Sequence, residues 1–133
     1  MTNIDLAKSY IRKATDRLDI LDVLLKKLAY SDVVREAQEI VELATKGMLR
    51  TVGIEPPKFH DVSHFLLEHR DKYPDDVVVH LDKIATISKR LRKEREFSFY
   101  GDIDFIPTEE YTKEDAINSI EDAKFVVSIV RLL

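Results

Sequence analysis

The sequence predicts an all-α fold, an up-and-down antiparallel bundle of four long or medium helices plus one short helix. Three observations carry this. Apolar residues recur at spacings of three and four along most of the chain, which is the period of an amphipathic helix. Three glycines and four prolines punctuate 133 residues, too few for the many turns of an all-β domain. No stretch alternates apolar and polar residues as a half-buried strand does. One hydrophobic core serves a chain of this length, so residues 1–133 are expected to form a single domain.

The elements follow in order. Over residues 3–29, Ile4, Ala7, Ile11, Ala14, Leu18, Leu21, Leu25 and Leu28 make an unbroken stripe, suited to a bundle helix and to self-association. Ser31 and Asp32 are candidate N-caps for a second helix bearing Val33, Ala37, Ile40, Val41, Ala44 and Met48. So short a link predicts an antiparallel hairpin. Gly53 supplies a left-handed C′ residue, and Pro56-Pro57 prevents continuation. Asp61 or His60 caps a short third helix with Val62, Phe65, Leu66 and Tyr73. A fourth helix uses Val77, Leu81, Ile84, Ile87 and Leu91 and ends in the charged run Lys89–Glu96. Residues 97–111 read as a loop. Thr112 and Asp115 form a capping box for a last helix bearing Ala116, Ile120, Ala123, Val127 and Val130.

Composition removes several kinds of chemistry. With no cysteine there is no disulfide, cysteine-ligated zinc or thiol nucleophile. Three glycines supply neither a P-loop nor a dinucleotide-binding turn. The charged amino-terminal stretch MTNIDLAKSYIRKATDR lacks the apolar core of a signal peptide, and no segment reaches the roughly 20 apolar residues of a membrane span. A cytoplasmic protein without membrane contact is therefore expected.

The formal charge of −4 hides a strong polarity. Lys89–Glu96 holds five cations and two anions, whereas residues 102–122 hold eight acids and one base. The basic run has two readings: cations complementing a helix dipole, or guanidinium groups binding phosphate beside a base-stacking aromatic. His60 and His64 have i, i+4 spacing with Glu68 and His69 nearby, but two histidines without two further spaced ligands favour capping or packing over a metal site. Asp102 and Asp104 lie in the expected loop and read as solvated carboxylates. No serine stands in a nucleophile motif. No metal or cofactor is called for.

The stretch from Ser31 to Arg50, the turn Gly-Ile-Glu-Pro-Pro-x-x-His from Gly53 to His60, and Arg95-Glu-Phe-Ser-Phe-Tyr-Gly-Asp102 followed by Tyr111-Thr112 together resemble the prokaryotic HEPN domain over nearly the whole chain. The resemblance implies a bundle of four or five helices, commonly homodimeric and often encoded beside a minimal nucleotidyltransferase as a toxin–antitoxin pair. Many such proteins are metal-independent ribonucleases with an Arg-x(4–6)-His motif. The arginine there holds phosphate, and the histidine moves a proton at the ribose 2′-hydroxyl.

Arg95 stands at the arginine position and Tyr100 at the histidine position. A phenol ordinarily ionises near pH 10, so a tyrosine is a poor general base at neutrality. The resemblance thus implies a nucleotide- or RNA-binding protein with Arg92, Lys93 and Arg95 at the site. The alternatives are a weak ribonuclease using Arg95 and Tyr100, and a structural or regulated subunit modified on Tyr100 or Tyr111.

Overall fold

The computed structural model describes residues 3–58 and 61–133. It is an all-α bundle, with α1 over Asn3–Lys26, α2 over Tyr30–Thr51, α5 over Leu81–Phe99 and α7 over Lys113–Val130 as the long helices. Short helices fill the connections: α3 (Ser63–Glu68), a 3₁₀ turn at Arg70–Lys72, α4 (Asp75–Val78) and α6 (Pro107–Glu110). The expected single short helix is therefore several. Among the described residues no helix is long and apolar enough to cross a membrane.

The central helix is α2, which packs against α1, α5 and α7. The reason lies in its composition. Val33, Ala37, Ile40, Val41, Ala44 and Met48, the residues its periodicity marks, are at most 1% exposed, and Val34 and Leu49 are buried beside them. That apolar band wraps far enough around the helix to meet three neighbours. Leu81, Ile84, Ile87 and Leu91 from α5 and Ala116, Ile120, Ala123, Val127 and Val130 from α7 complete the core. By contrast, α5 and α7 make little direct contact with each other.

The α1 stripe is used inside the chain. Ala7, Ala14 and Leu21 are buried, Ile11, Leu18 and Leu25 pack partly against the core, and only the ends, Ile4 and Leu28, are exposed. It consequently lends no support to self-association.

The turn between α1 and α2 differs from expectation. Helix α2 starts at Tyr30, ahead of Ser31 and Asp32, with no side-chain cap. The turn is made instead by Leu28 in the left-handed region, φ 60°. Ala29 N–H donates to Leu24 O and Leu28 N–H to Leu25 O, both at 3.0 Å, a Schellman closure with leucine where glycine is favoured. A Cβ in this conformation costs roughly 1–2 kcal/mol. Leu28→Gly is expected to stabilise the protein by about 0.5–1 kcal/mol once the added unfolded-state entropy of glycine is counted. Leu28→Ala, which keeps the Cβ, gains nothing. Urea melts of the three proteins check this, and equal midpoints for the glycine and alanine variants would contradict it.

Gly53, φ 82°, closes α2 as expected, with Ile54 N–H donating to Leu49 O at 3.0 Å. The N-cap of α3 is Val62, with no side-chain cap; Asp61, just ahead of it, accepts from Ser63 N–H at 2.9 Å and from the buried Ser88 hydroxyl at 2.8 Å, which ties the start of α3 to α5. Tyr73, expected on the third helix, lies beyond the 3₁₀ turn and donates to Met48 O at 2.8 Å. Burial pushes its phenol pKa well above the usual value. Val77 belongs to α4, which is separated from α5 by a turn at Val79–His80. The Thr112–Asp115 capping box forms as expected, at 2.9 and 3.1 Å.

Candidate functional site: the carboxyl-terminal face of α5

Helix α5 does not stop in its charged run but continues to Phe99. That extension organises the site. At about 100° per residue, positions four and seven apart stay on one face, so Lys89, Lys93 and Tyr100 align along the helix and are all exposed. Arg92 and Phe99 flank this line on one side and Phe97 on the other. Phe97 is 47%, Phe99 52% and Tyr100 76% exposed. The Phe99 and Tyr100 rings meet edge to face at 4.8 Å, and the Arg35 guanidinium of α2 lies 5.0 Å from the Phe99 centroid. The Tyr100 hydroxyl has no hydrogen-bond partner among the described residues.

Arg95 points elsewhere. Five residues along a helix turn the side chain by about 140°, which takes Arg95 to α2 and away from Tyr100. Its guanidinium pairs with Glu39, donates to Gln38 Oε1 at 2.5 Å and lies 3.8 Å from Glu42. Arg35 joins the same cluster, donating to Arg95 O at 3.1 Å and pairing with Glu39 at 3.2 Å. Lys46 pairs with Glu42 at 3.2 Å. One turn nearer the start of α2, Glu36 holds Arg17 of α1 at 2.7 and 3.3 Å. That hydrogen bond, outweighing desolvation, raises the Arg17 pKa. Arg95 is thus the hub of an ionic layer joining α5 to α2.

Arg90 is also engaged, paired with Asp122 of α7. Of the five cations in the basic run, Lys89, Arg92 and Lys93 have no partner within the chain among the described residues. The structure therefore separates the expected site residues: Arg92, Lys93 and Tyr100 share a solvent-facing surface, and Arg95 lies behind it. Lys89, a member of the basic run, belongs to that surface together with Phe97 and Phe99, which the sequence alone places in a loop. Lys89, Lys93 and Tyr100 align only because the helix runs to Phe99.

Beyond the helix, Gly101 at φ 68° starts a tight turn in which Asp102 N–H donates to Phe105 O at 2.9 Å and Phe105 N–H returns the bond at 3.0 Å. Asp102 and Asp104 are exposed. Phe105 sits edge to face between Phe97 (5.5 Å) and Tyr111 (5.7 Å), so three rings pin the turn to α5. Tyr111 donates to the Glu94 carboxylate. Burial first, then that hydrogen bond and the nearby charges of Glu94 and Asp115, push its pKa well above the usual phenol value. Tyr111 stays a protonated donor, whereas Tyr100 faces solvent.

Of the histidine pair, His60 lies outside the described residues. His64 approaches Glu68 at 3.3 Å on an exposed face, and among the described residues no three metal-ligating side chains converge.

The profile described as HEPN domain matches residues 7–133. The chain is 31% identical over 136 residues to the protein named "Putative toxin MJ1304" of Methanocaldococcus jannaschii, an alignment spanning 97% of this chain and 88% of that one. It superimposes with a TM-score of 0.71 on the crystal structure of ST0689, described as an archaeal HEPN homologue, at 26% identity and over 94% of both chains.

Proposed function

This chain belongs to the HEPN domain family, and from that membership we propose that it is a toxin-type member of a toxin–antitoxin pair. In this reading it binds RNA or nucleotide on the exposed face of α5, and its partner is a minimal nucleotidyltransferase. The carrying observation is the alignment of unpaired Lys89, Arg92 and Lys93 with the exposed rings of Phe97, Phe99 and Tyr100 on one helix end. Cations track phosphates and aromatic faces stack on bases, a combination that binds single strands without sequence readout. The toxin name of the Methanocaldococcus relative supports the biological role. Arg95 serves this surface indirectly, holding α5 against α2 through Glu39 and Gln38.

Binding fits the arrangement better than ribonuclease chemistry. A 2′-hydroxyl must lose its proton to a group within hydrogen-bond reach. Here the Tyr100 hydroxyl has no neighbouring base, and Arg95 lies on a different side of the helix.

Titration of a labelled single-stranded RNA at low salt is the test. Tyr100→Ala is expected to weaken binding about tenfold, the worth of one stacked base. The Lys89→Ala, Arg92→Ala, Lys93→Ala triple variant should flatten the dependence of log K on log salt by about 2. Wild-type affinity and salt slope in both variants would sink the assigned surface. Co-purification with the product of the adjacent gene examines the partner half of the proposal, and a neighbour with no nucleotidyltransferase domain would count against it.

A further inference from the structure

The acidic segment 102–122 takes no part in the anion-binding surface, yet its residues surround a pocket of about 320 Å³ where α5 and α7 fail to meet. We infer that this pocket between α5, α6 and α7 is a binding site for a small organic ammonium ion of the alkyl diamine class. The inference is independent of the RNA reading.

The wall chemistry selects the ligand. Three carboxylates line the pocket, those of Glu94, Glu110 and Asp115, against one guanidinium, Arg90. Arg90 is already paired with Asp122 outside the lining, so the charge offered inward is negative. Glu110 has no partner among the described residues. Glu94 accepts one bond from Tyr111 and Asp115 accepts from Thr112 N–H through one oxygen, which leaves further lone pairs on each. Phe105 and Tyr111 add aromatic surface, which attracts cations through the ring quadrupole. Val34 and Leu91 make an apolar floor suited to methylene groups.

Ser119 points to an occupant on separate grounds. It is 3% exposed, lines the pocket, and its hydroxyl has no partner among the described residues. Its oxygen opens into the pocket and offers an acceptor to a ligand N–H donor. A bare metal ion is a poorer fit, because the three carboxylates line the pocket without converging into a ligand set among the described residues and hard divalent ions take six or more oxygens. The volume lies at the small end of ligand pockets, appropriate to a short aliphatic chain.

Butane-1,4-diammonium titrated into the full ¹⁵N-labelled chain at constant ionic strength tests the site. Saturable amide shifts centred on Tyr111, Asn118 and Ser119 are expected, and Mg²⁺ at equal ionic strength should not reproduce them. Glu110→Gln and Ser119→Ala should each raise Kd about three- to tenfold with unchanged circular dichroism. Shifts that rise linearly without saturation, that Mg²⁺ reproduces equally, or that keep their Kd in both variants overturn the proposal. A loss of RNA affinity in the α5 surface variants leaves this outcome untouched, so the two readings fail separately.

Discussion

Arg95→Ala is expected to lower stability by about 2 kcal/mol and the melting temperature by roughly 5–10 °C for a chain of this size. The side chain is 16% exposed and bonds Glu39 and Gln38 across the α2–α5 contact. Removing it strands the Gln38 carbonyl oxygen in a residue only 2% exposed. The loss stays below that of a fully buried pair because each carboxylate keeps another cation: Arg35 for Glu39 and Lys46 for Glu42. Arg95→Lys should recover about half, since one ammonium replaces the charge but not the planar fork. Thermal melts of the three proteins, run beside the RNA titration, separate two roles. Reduced stability with RNA affinity near wild type, measured well below the melting point, identifies a positioning residue. Unchanged stability with lost affinity would show that Arg95 leaves α2 to meet phosphate directly.

Gly101→Ala is expected to cost at least about 2 kcal/mol, focused on the turn that follows α5. An added Cβ would lie 2.3 Å from Phe105 O and 2.5 Å from Pro107 Cδ. Both neighbours are rigid, one being backbone and the other a proline ring. The φ of 68° adds a separate penalty for any side chain. Relief requires opening the Asp102–Phe105 bonds and lifting Phe105 from between Phe97 and Tyr111. Hydrogen exchange should therefore show lost protection at Asp102 and Phe105 together with a lower melting temperature. Wild-type protection at both amides would refute the account.

These two residues also mark where the sequence was and was not legible. Helix cores were: every position assigned by three-and-four spacing on the second and last helices is buried, because burial on a bundle helix is dictated by that period. Helix ends were less so. Residues 97–99 read as loop because Gly101, Pro107 and scattered aromatics break the helical period, yet the helix runs on to Phe99 and stops only at the left-handed Gly101, two residues beyond. The first turn was missed for a related reason: Ser31 and Asp32 have capping side chains, yet the chain reverses at Leu28, a residue with no turn preference.

Charge was legible in quantity but not in pairing. The basic run carries a surplus, but Arg90 and Arg95 are neutralised by Asp122 and Glu39, which lie far away in sequence. Spacing along one helix says nothing about carboxylates delivered by another. What remains on the surface is Lys89, Arg92 and Lys93, the last two being residues the sequence itself points to.

The joint between α1 and α2 has a kinetic consequence. Two helices of 24 and 22 residues meet through a connection of three, so their contacts close a short loop and carry little chain entropy. Such local pairing forms early, and this half of the core is expected to assemble while the chain is still being synthesised. The α5 surface comes later, since Arg95 must find Gln38 across 57 residues, and α7 must arrive before Asp122 engages Arg90. A nascent chain thus acquires its α1–α2 scaffold before its charged α5 face, where Arg90 stays unpaired until Asp122 has been made.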